Sequence, residues 1–220
     1  MKPTQVFKGA VRRVVSELAT HGIERDIPTN PALAAFRERS AAMDRPRVLE
    51  LGTRRSHPAM STRHDEWVPH ASEYVGSDIQ EGIDVELVAD VHQLTNVTGV
   101  ESYDIIISCS TFEHFKYPHL AAHEIMKALR VGGVLFVQTH QTFPLHAHPF
   151  DHFRFSTEAM AGLFGTRMGF DSVEICYEFP SRIHSPTARH LAYGPAFLNV
   201  CLFGEKRAAT PDEYMYELDA

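Results

Sequence analysis

The sequence predicts an α/β fold, a doubly wound and mostly parallel sheet covered on both faces, and three observations carry that reading. From Arg47 onward, short apolar runs alternate with segments of helix length. Runs such as Ile105-Ile106-Ile107 and Val134-Leu135-Phe136-Val137 lack the polar alternation of a half-exposed strand, which suits strands buried on both faces. With 220 residues, 44% hydrophobic and 22% charged, the chain can bury one such core with an extension, and it is too short for two equal domains.

Residues 1–46 read as an N-terminal helical segment. Val6, Phe7, Ala10, Val11, Val14, Val15 and Leu18 recur at helical spacing, and Gly22 sits where such a helix would stop. A shorter helix follows Pro31, through Leu33, Ala34 and Phe36 to about Ala42. Docking on the domain, covering its site and pairing two subunits as a homodimer all remain open for these helices. The domain proper spans residues 47–207, with strands predicted at 47–51, 73–77, 85–89, 103–108, 134–139, 172–179 and 198–205. Helices are predicted at 119–129, ended by Val131-Gly132-Gly133, and at 157–168, capped by Ser156 and closed by Gly169. Residues 208–220, with Pro211, four carboxylates and two tyrosines, read as a loosely held acidic tail.

Composition narrows the function. A net charge of -7 supplies no field to hold a polyanion, so no nucleic-acid partner is expected and a small-molecule acceptor is. The start of the chain lacks the apolar core of a secretory signal, and nowhere do about 18 apolar residues run together, so the expectation is a cytoplasmic protein with no membrane association. Cys109, Cys176 and Cys201 are widely separated without CxxC spacing, which argues against disulfides and a thiolate zinc site.

In an open α/β sheet the ligand binds beyond the carboxyl ends of the strands, so the residues just after each strand matter most. After the first strand, Gly52 would let the backbone turn and approach a ligand closely. After the second, Asp78 stands 26 residues beyond Gly52, placed like the acidic residue that accepts hydrogen bonds from both ribose hydroxyls. After the third, Asp90 and the amide of Val91 would suit the edge of an adenine. Taken singly, either aspartate would serve equally as a helix cap; together, at matching strand ends, they point to a nucleoside.

At the fourth strand end, Ser108-Cys109-Ser110-Thr111-Phe112-Glu113-His114 completes a pattern that resembles the class I S-adenosylmethionine-dependent methyltransferases, in particular the type 11 group. The matching residues are Val48-Leu49-Glu50-Leu51-Gly52, Val75-Gly76-Ser77-Asp78, Ala89-Asp90-Val91, Tyr103-Asp104-Ile105-Ile106 with Phe112-Glu113-His114, and Ala128-Leu129-Arg130-Val131-Gly132-Gly133. The resemblance covers about residues 47–170. It implies a three-layer Rossmann-like fold with a seven-stranded, mostly parallel sheet whose final strand is antiparallel. It also implies S-adenosylmethionine as cofactor and S-adenosylhomocysteine as product. On that basis Gly52 and Thr53 would contact the methionine moiety, Asp78 and Ile79 the ribose side, and Asp90 with Val91 the adenine. Cys109 and Ser110 would line the cleft, and Glu50 would order the first loop or meet the cofactor's ammonium. Arg54 and Ser56 replace later glycines of the usual first motif, so that loop should run wider, with Arg54 pairing with the cofactor's carboxylate or, the favoured reading, pointing into solvent. The absence of Gly-x-Gly-x-x-Gly also argues against a nicotinamide dehydrogenase.

After the fifth strand, His140-Gln141-Thr142-Phe143-Pro144-Leu145-His146-Ala147-His148-Pro149-Phe150-Asp151-His152-Phe153-Arg154 reads as acceptor-pocket wall. Methyl transfer is a displacement at an activated sulfonium, so holding the acceptor in line supplies most of the catalysis, and a base is needed only for a protonated nucleophile. His114, His146 and His148 are the candidate bases, with Asp151 as orienting carboxylate. His140, His152 and Arg154 are candidates for acceptor binding, Arg154 as a clamp for an anion. For His114 a structural hydrogen bond is the competing role. His146-x-His148 with Asp151 or His152 offers metal-donor types, but a proline- and aromatic-rich loop with no preformed ligand helix leads to the expectation of no metal. The expected activity is methyl transfer to an oxygen nucleophile of a sugar or secondary metabolite. The alternative is a non-catalytic cofactor-binding module acting with a partner protein.

Overall fold

Alternation of side chains along the apolar strands produces two separate cores, one on each face of a single sheet. The computed structural model describes residues 14, 30–55, 57–188, 190–191 and 194–216. The predicted first helix therefore lies outside the described residues apart from Val14, as does Ser56.

The strands are β1 (Arg47–Leu51), β2 (Glu73–Asp78), β3 (Leu87–Val88), β4 (Tyr103–Cys109), β5 (Leu129–His140), β6 (Phe170–Ser181) and β7 (Ala196–Lys206). They form one sheet in the order β3-β2-β1-β4-β5-β7-β6. Every pairing among the first five strands is parallel, and β7 runs antiparallel to both β5 and β6. This is the mixed seven-stranded arrangement that the sequence predicts.

Leu49, Leu51, Ile106, Leu135 and Val137 face one core, and Val48, Ile105, Ile107, Val134 and Phe136 face the other. That period of two explains why the strands read as continuous apolar runs: each face has its own helical cover. On the first face lie α3 (Pro118–Ala128) and α4 (Thr157–Leu163); a single turn, α2 (Thr95–Thr98), packs against α3. The opposite face is covered by α1 (Pro31–Ala41), whose Ala32 and Phe36 are fully buried. Phe36 meets Trp67, Phe136 and Phe203 at ring separations of 5.3 to 6.3 Å. The predicted boundary after residue 46 thus falls between two elements that share a core.

Against the predicted 85–89, 134–139, 172–179 and 198–205, β3 is shorter and β5, β6 and β7 are longer, and three further differences have local reasons. The predicted helix at 157–168 stops at Leu163; Phe164 leaves helical geometry and a short 3-10 turn, Thr166–Met168, completes the segment before Gly169, which is left-handed at φ 76°. The Val131-Gly132-Gly133 stop is not a helix end: α3 finishes at Ala128 and the glycines lie inside β5. Buried Lys206 secures that junction, its Nζ donating to the carbonyls of Met126 (2.8 Å) and Leu129 (2.7 Å). The described part of the acidic tail is docked rather than loose. Pro211 O accepts from His123 Nε2 at 2.8 Å, and the Tyr214 hydroxyl donates to Gly162 O at 3.1 Å.

Candidate functional site

The registers Leu51↔Ser77, Leu51↔Ser108, Asp78↔Val88 and Cys109↔Gln138 bring the strand ends into line, so Gly52, Asp78, Asp90, Cys109 and His140 stand along one edge of the sheet. Gly52 is left-handed at φ +76°, and a Cβ there would stand 2.2 Å from Thr111 Oγ1, so only glycine lets the β1 and β4 turns close on each other. The amides of Gly52 and Thr53 both donate to Ser77 O, at 2.7 and 3.1 Å, and buried Thr53 donates through its hydroxyl to Asp84 O at 2.7 Å. This turn is therefore tied to β2 and its following loop.

Between β1 and β2 the chain forms an irregular loop with one 3-10 turn, Asp65–Trp67, consistent with the loss of the later glycines. Its anchor is Glu50, buried in β1. That carboxylate accepts from the His64 amide (3.0 Å) and the Tyr74 hydroxyl (2.6 Å), and lies 2.6 Å from His64 Nδ1. Of the two roles given to Glu50, ordering the loop is the one this geometry supplies. Burial and the Glu50 charge push the Tyr74 phenol far above its ordinary range, which keeps it a donor. His64 and Tyr74 escaped the sequence reading because nothing in their spacing ties them to Glu50. Arg54 is exposed and donates to Glu81 O at 3.2 Å, while Arg55 forms a two-pronged pair with Asp84 at 2.9 Å for each contact.

Asp78 Oδ1 accepts the Gln80 amide at 3.0 Å, and its other oxygen has no partner among the described residues. Ile79, beside it, is 65% exposed. Asp90 accepts from the amide and ring of His92, at 3.0 and 2.7 Å, and caps the 3-10 turn Val91–Gln93, with Val91 buried. Burial opposes its ionisation, but the His92 contacts outweigh it and hold the carboxyl below its ordinary value. An unengaged carboxylate oxygen, an exposed apolar side chain beside it and a glycine-closed turn fit the ribose, ring and backbone of a nucleoside cofactor. Cys109, pushed well above its ordinary thiol range by burial, is a neutral thiol at the end of β4 rather than a thiolate, and all three cysteines are free. Ser110 is exposed, at φ 50°, with its amide on Gln138 O.

The histidine segment folds back over the end of β4. Glu113, fully buried, accepts from Thr139 Oγ1 at 2.7 Å through one oxygen, while its Oε1 has no hydrogen-bond partner among the described residues. Around Oε1 stand His140 Nε2 at 3.0 Å, His114 Nε2 at 3.7 Å and His146 Nε2 at 3.8 Å. The Glu113 carbonyl in turn accepts the amides of His152 and Phe153. Asp151 accepts the His146 amide at 3.1 Å and pairs with Arg154 through both oxygens, at 2.6 and 2.9 Å. Foremost the Arg154 contact pulls its carboxyl well below the carboxylate range. Arg154 also reaches Phe143 O and Pro144 O, so it organises the loop. His148 and the His152 side chain are exposed and apart from the cluster. Glu113 is the central group the sequence left without a role; its signal was its place in the Phe112-Glu113-His114 piece that follows β4.

A family profile described as a methyltransferase domain matches residues 18–174. Among solved structures, the chain is similar to a Burkholderia thailandensis 1,6-didemethyltoxoflavin-N1-methyltransferase with bound 1,6-didemethyltoxoflavin and S-adenosylhomocysteine (13% identity, 94% of this chain and 92% of that one, TM-score 0.53). It is also similar to S-adenosylmethionine-dependent methyltransferases of Mesorhizobium loti (17%, 80% and 96%, 0.53) and Archaeoglobus fulgidus (15%, 79% and 92%, 0.54). No curated protein matches the sequence. At these identities the structures establish the fold, and with the profile spanning most of its length the chain belongs to the methyltransferase domain family.

Proposed function

We propose that this protein transfers a methyl group from S-adenosylmethionine to a small-molecule acceptor, an oxygen nucleophile of a sugar or secondary metabolite, in the cytoplasm. The observation that carries the reading is the alignment of Gly52, Asp78 and Asp90 along one sheet edge, with one Asp78 oxygen unengaged. When bound, the cofactor supplies an electrophilic methyl on a sulfonium. The chain's part is to hold the ribose through Asp78, flank the ring with Ile79 and Val91, and keep Cys109 neutral at the cleft wall. The acceptor wall is the loop after β5, with His114 and His146 as the partly exposed histidines beside Glu113. Each directs Nδ1 at a backbone carbonyl, Phe150 O at 2.9 Å and Pro144 O at 3.3 Å, which fixes the ring and leaves Nε2 as the group able to take a proton. No helix among the described residues is long and apolar enough to cross a membrane.

Thermal unfolding with S-adenosylhomocysteine, S-adenosylmethionine and NAD tests the cofactor. A ligand at about 100 times its dissociation constant contributes roughly 2.7 kcal/mol. Stabilisation by the two sulfur ligands alone, lost in Asp78→Ala, is expected. Stabilisation by NAD alone, or an unchanged shift in Asp78→Ala, would overturn the assignment. Binding without transfer to a broad panel of hydroxyl, amine and carbon acceptors would favour the non-catalytic module.

A further inference from the structure

Glu113, His114 and His146 form a cluster with a second use, one in which the Nε2 atoms go to an ion in place of the proton-accepting role given to His114 and His146 above. The ligand-type atoms of Glu113, His114 and His146 all lie within 4.8 Å of one another, and buried Glu113 Oε1 faces them without a hydrogen bond. His114 Nδ1 lies 2.9 Å from Phe150 O, His146 Nδ1 3.3 Å from Pro144 O, and His140 Nδ1 3.1 Å from Asn199 Oδ1. Each partner is an oxygen that only accepts, so each Nδ1 donates to it and each Nε2 is turned toward Glu113. Asn199 is oriented by its amide nitrogen, which faces Glu178 Oε2 at 3.5 Å. The Nε2 atoms of His114 and His146 and one carboxylate oxygen of buried Glu113 thus converge on one point, a donor set that a cation would satisfy. Imidazoles whose far nitrogen donates to a carbonyl are also the usual form of histidine ligands to metals.

We propose that Glu113, His114 and His146 bind a divalent transition ion of the zinc type, with the fourth position left open. Nitrogen donors with one carboxylate favour zinc and its neighbours over magnesium or calcium, which take oxygen. Tetrahedral bonds of about 2.0 Å place ligand atoms about 3.3 Å apart; the separations from Glu113 Oε1 to His114 and His146, 3.7 and 3.8 Å, are a little wider, so an ion draws the donors inward. The His114 and His146 side chains are 26% and 27% exposed, which gives the ion a path in and leaves a side from which an acceptor oxygen can reach it. The ion site stands independently of methyl transfer: a chain that binds zinc but not S-adenosylhomocysteine would keep this site and lose the function proposed above.

The test uses full-length protein without a histidine tag, stripped with chelator and dialysed against Zn2+ in excess Mg2+, with metal measured by mass spectrometry. One zinc per chain is expected, with affinity reduced at least about 10-fold in His114→Ala, His146→Ala and Glu113→Gln and unchanged in the loop variant His148→Ala. Substoichiometric zinc in the wild type, or equal loss in His148→Ala, would overturn the site. Because Glu113 is buried and its variant can misfold, a second measurement needs no substitution. Co2+ bound to the wild type should give the absorption of a four-coordinate nitrogen and oxygen site; a six-coordinate aquo-like spectrum would overturn it.

Discussion

Gly52 shows how a single missing Cβ sets the geometry of a whole cleft. Its left-handed φ and the 2.2 Å approach of Thr111 Oγ1 mean that Gly52→Ala must both strain the backbone and push β4's following turn away. The left-handed conformation alone costs an L-residue roughly 1–2 kcal/mol, and for a chain of this size each kcal/mol lowers Tm by about 2–4 °C. Gly52→Ala should therefore melt several degrees lower and bind S-adenosylhomocysteine more weakly. Adding Thr111→Gly should recover the part of the loss due to the clash and none of the part due to φ. A melting curve and cofactor shift identical to wild type would show that the turn can rearrange freely. Glu113 teaches the complementary lesson: a carboxylate hidden from solvent, with one oxygen satisfied by Thr139 and the other facing three imidazoles, acquires its meaning only from where the chain folds.

Among the elements, α1 is the clearest case of a segment whose role depends on tertiary contacts. Asn30 caps it, accepting the Leu33 amide at 2.9 Å, and Phe36 inserts fully between Trp67, Phe136 and Phe203. Phe→Ala in a packed core costs about 3–5 kcal/mol, so Phe36→Ala should shift the urea midpoint strongly. A loss below about 1 kcal/mol would instead mark α1 as a detachable cover. The strands of the sheet were legible because burial on both faces imposes apolar runs such as Ile105-Ile106-Ile107. Gly52, Asp78 and Asp90 were legible because strand ends can be read from the runs that precede them. The extent of α4 was not, since the apolar spacing of Met160, Phe164 and Met168 continues through the break at Phe164. The cluster around Glu113 was legible in parts only. His114 follows β4, His140 ends β5 and His146 lies in the loop beyond, and sequence spacing does not reveal that a turn of that loop brings all three to one oxygen atom.

Over the whole molecule, carboxylates whose charge the fold stabilises set how the protein should respond to acid. Arg55, the largest influence, holds the Asp84 carboxyl below its ordinary value, with a further hydrogen bond from Ser61. Burial opposes ionisation of Glu124, yet Lys127 and Thr95 bring it down as well. Asp90 is lowered by His92 in the same sense. A carboxyl whose folded pKa lies below its unfolded value contributes stability that is complete above the unfolded value and is lost as pH falls through the folded one. The unfolded references here are 3.8 for aspartate and 4.5 for glutamate, so the loss should begin near about pH 5 and deepen below 4. Urea unfolding of the wild type between pH 7 and pH 3.5 should show that decline. Asp84→Asn should start less stable at pH 7 and fall less steeply, because the bond to Arg55 no longer depends on a titrating group. If the two profiles run parallel, the Arg55–Asp84 pair contributes nothing to folding, and the loop that carries Gly52's turn toward the cofactor edge is held by its other contacts, those of Glu50 and Thr53 and the Arg63–Glu86 pair at 2.6 Å.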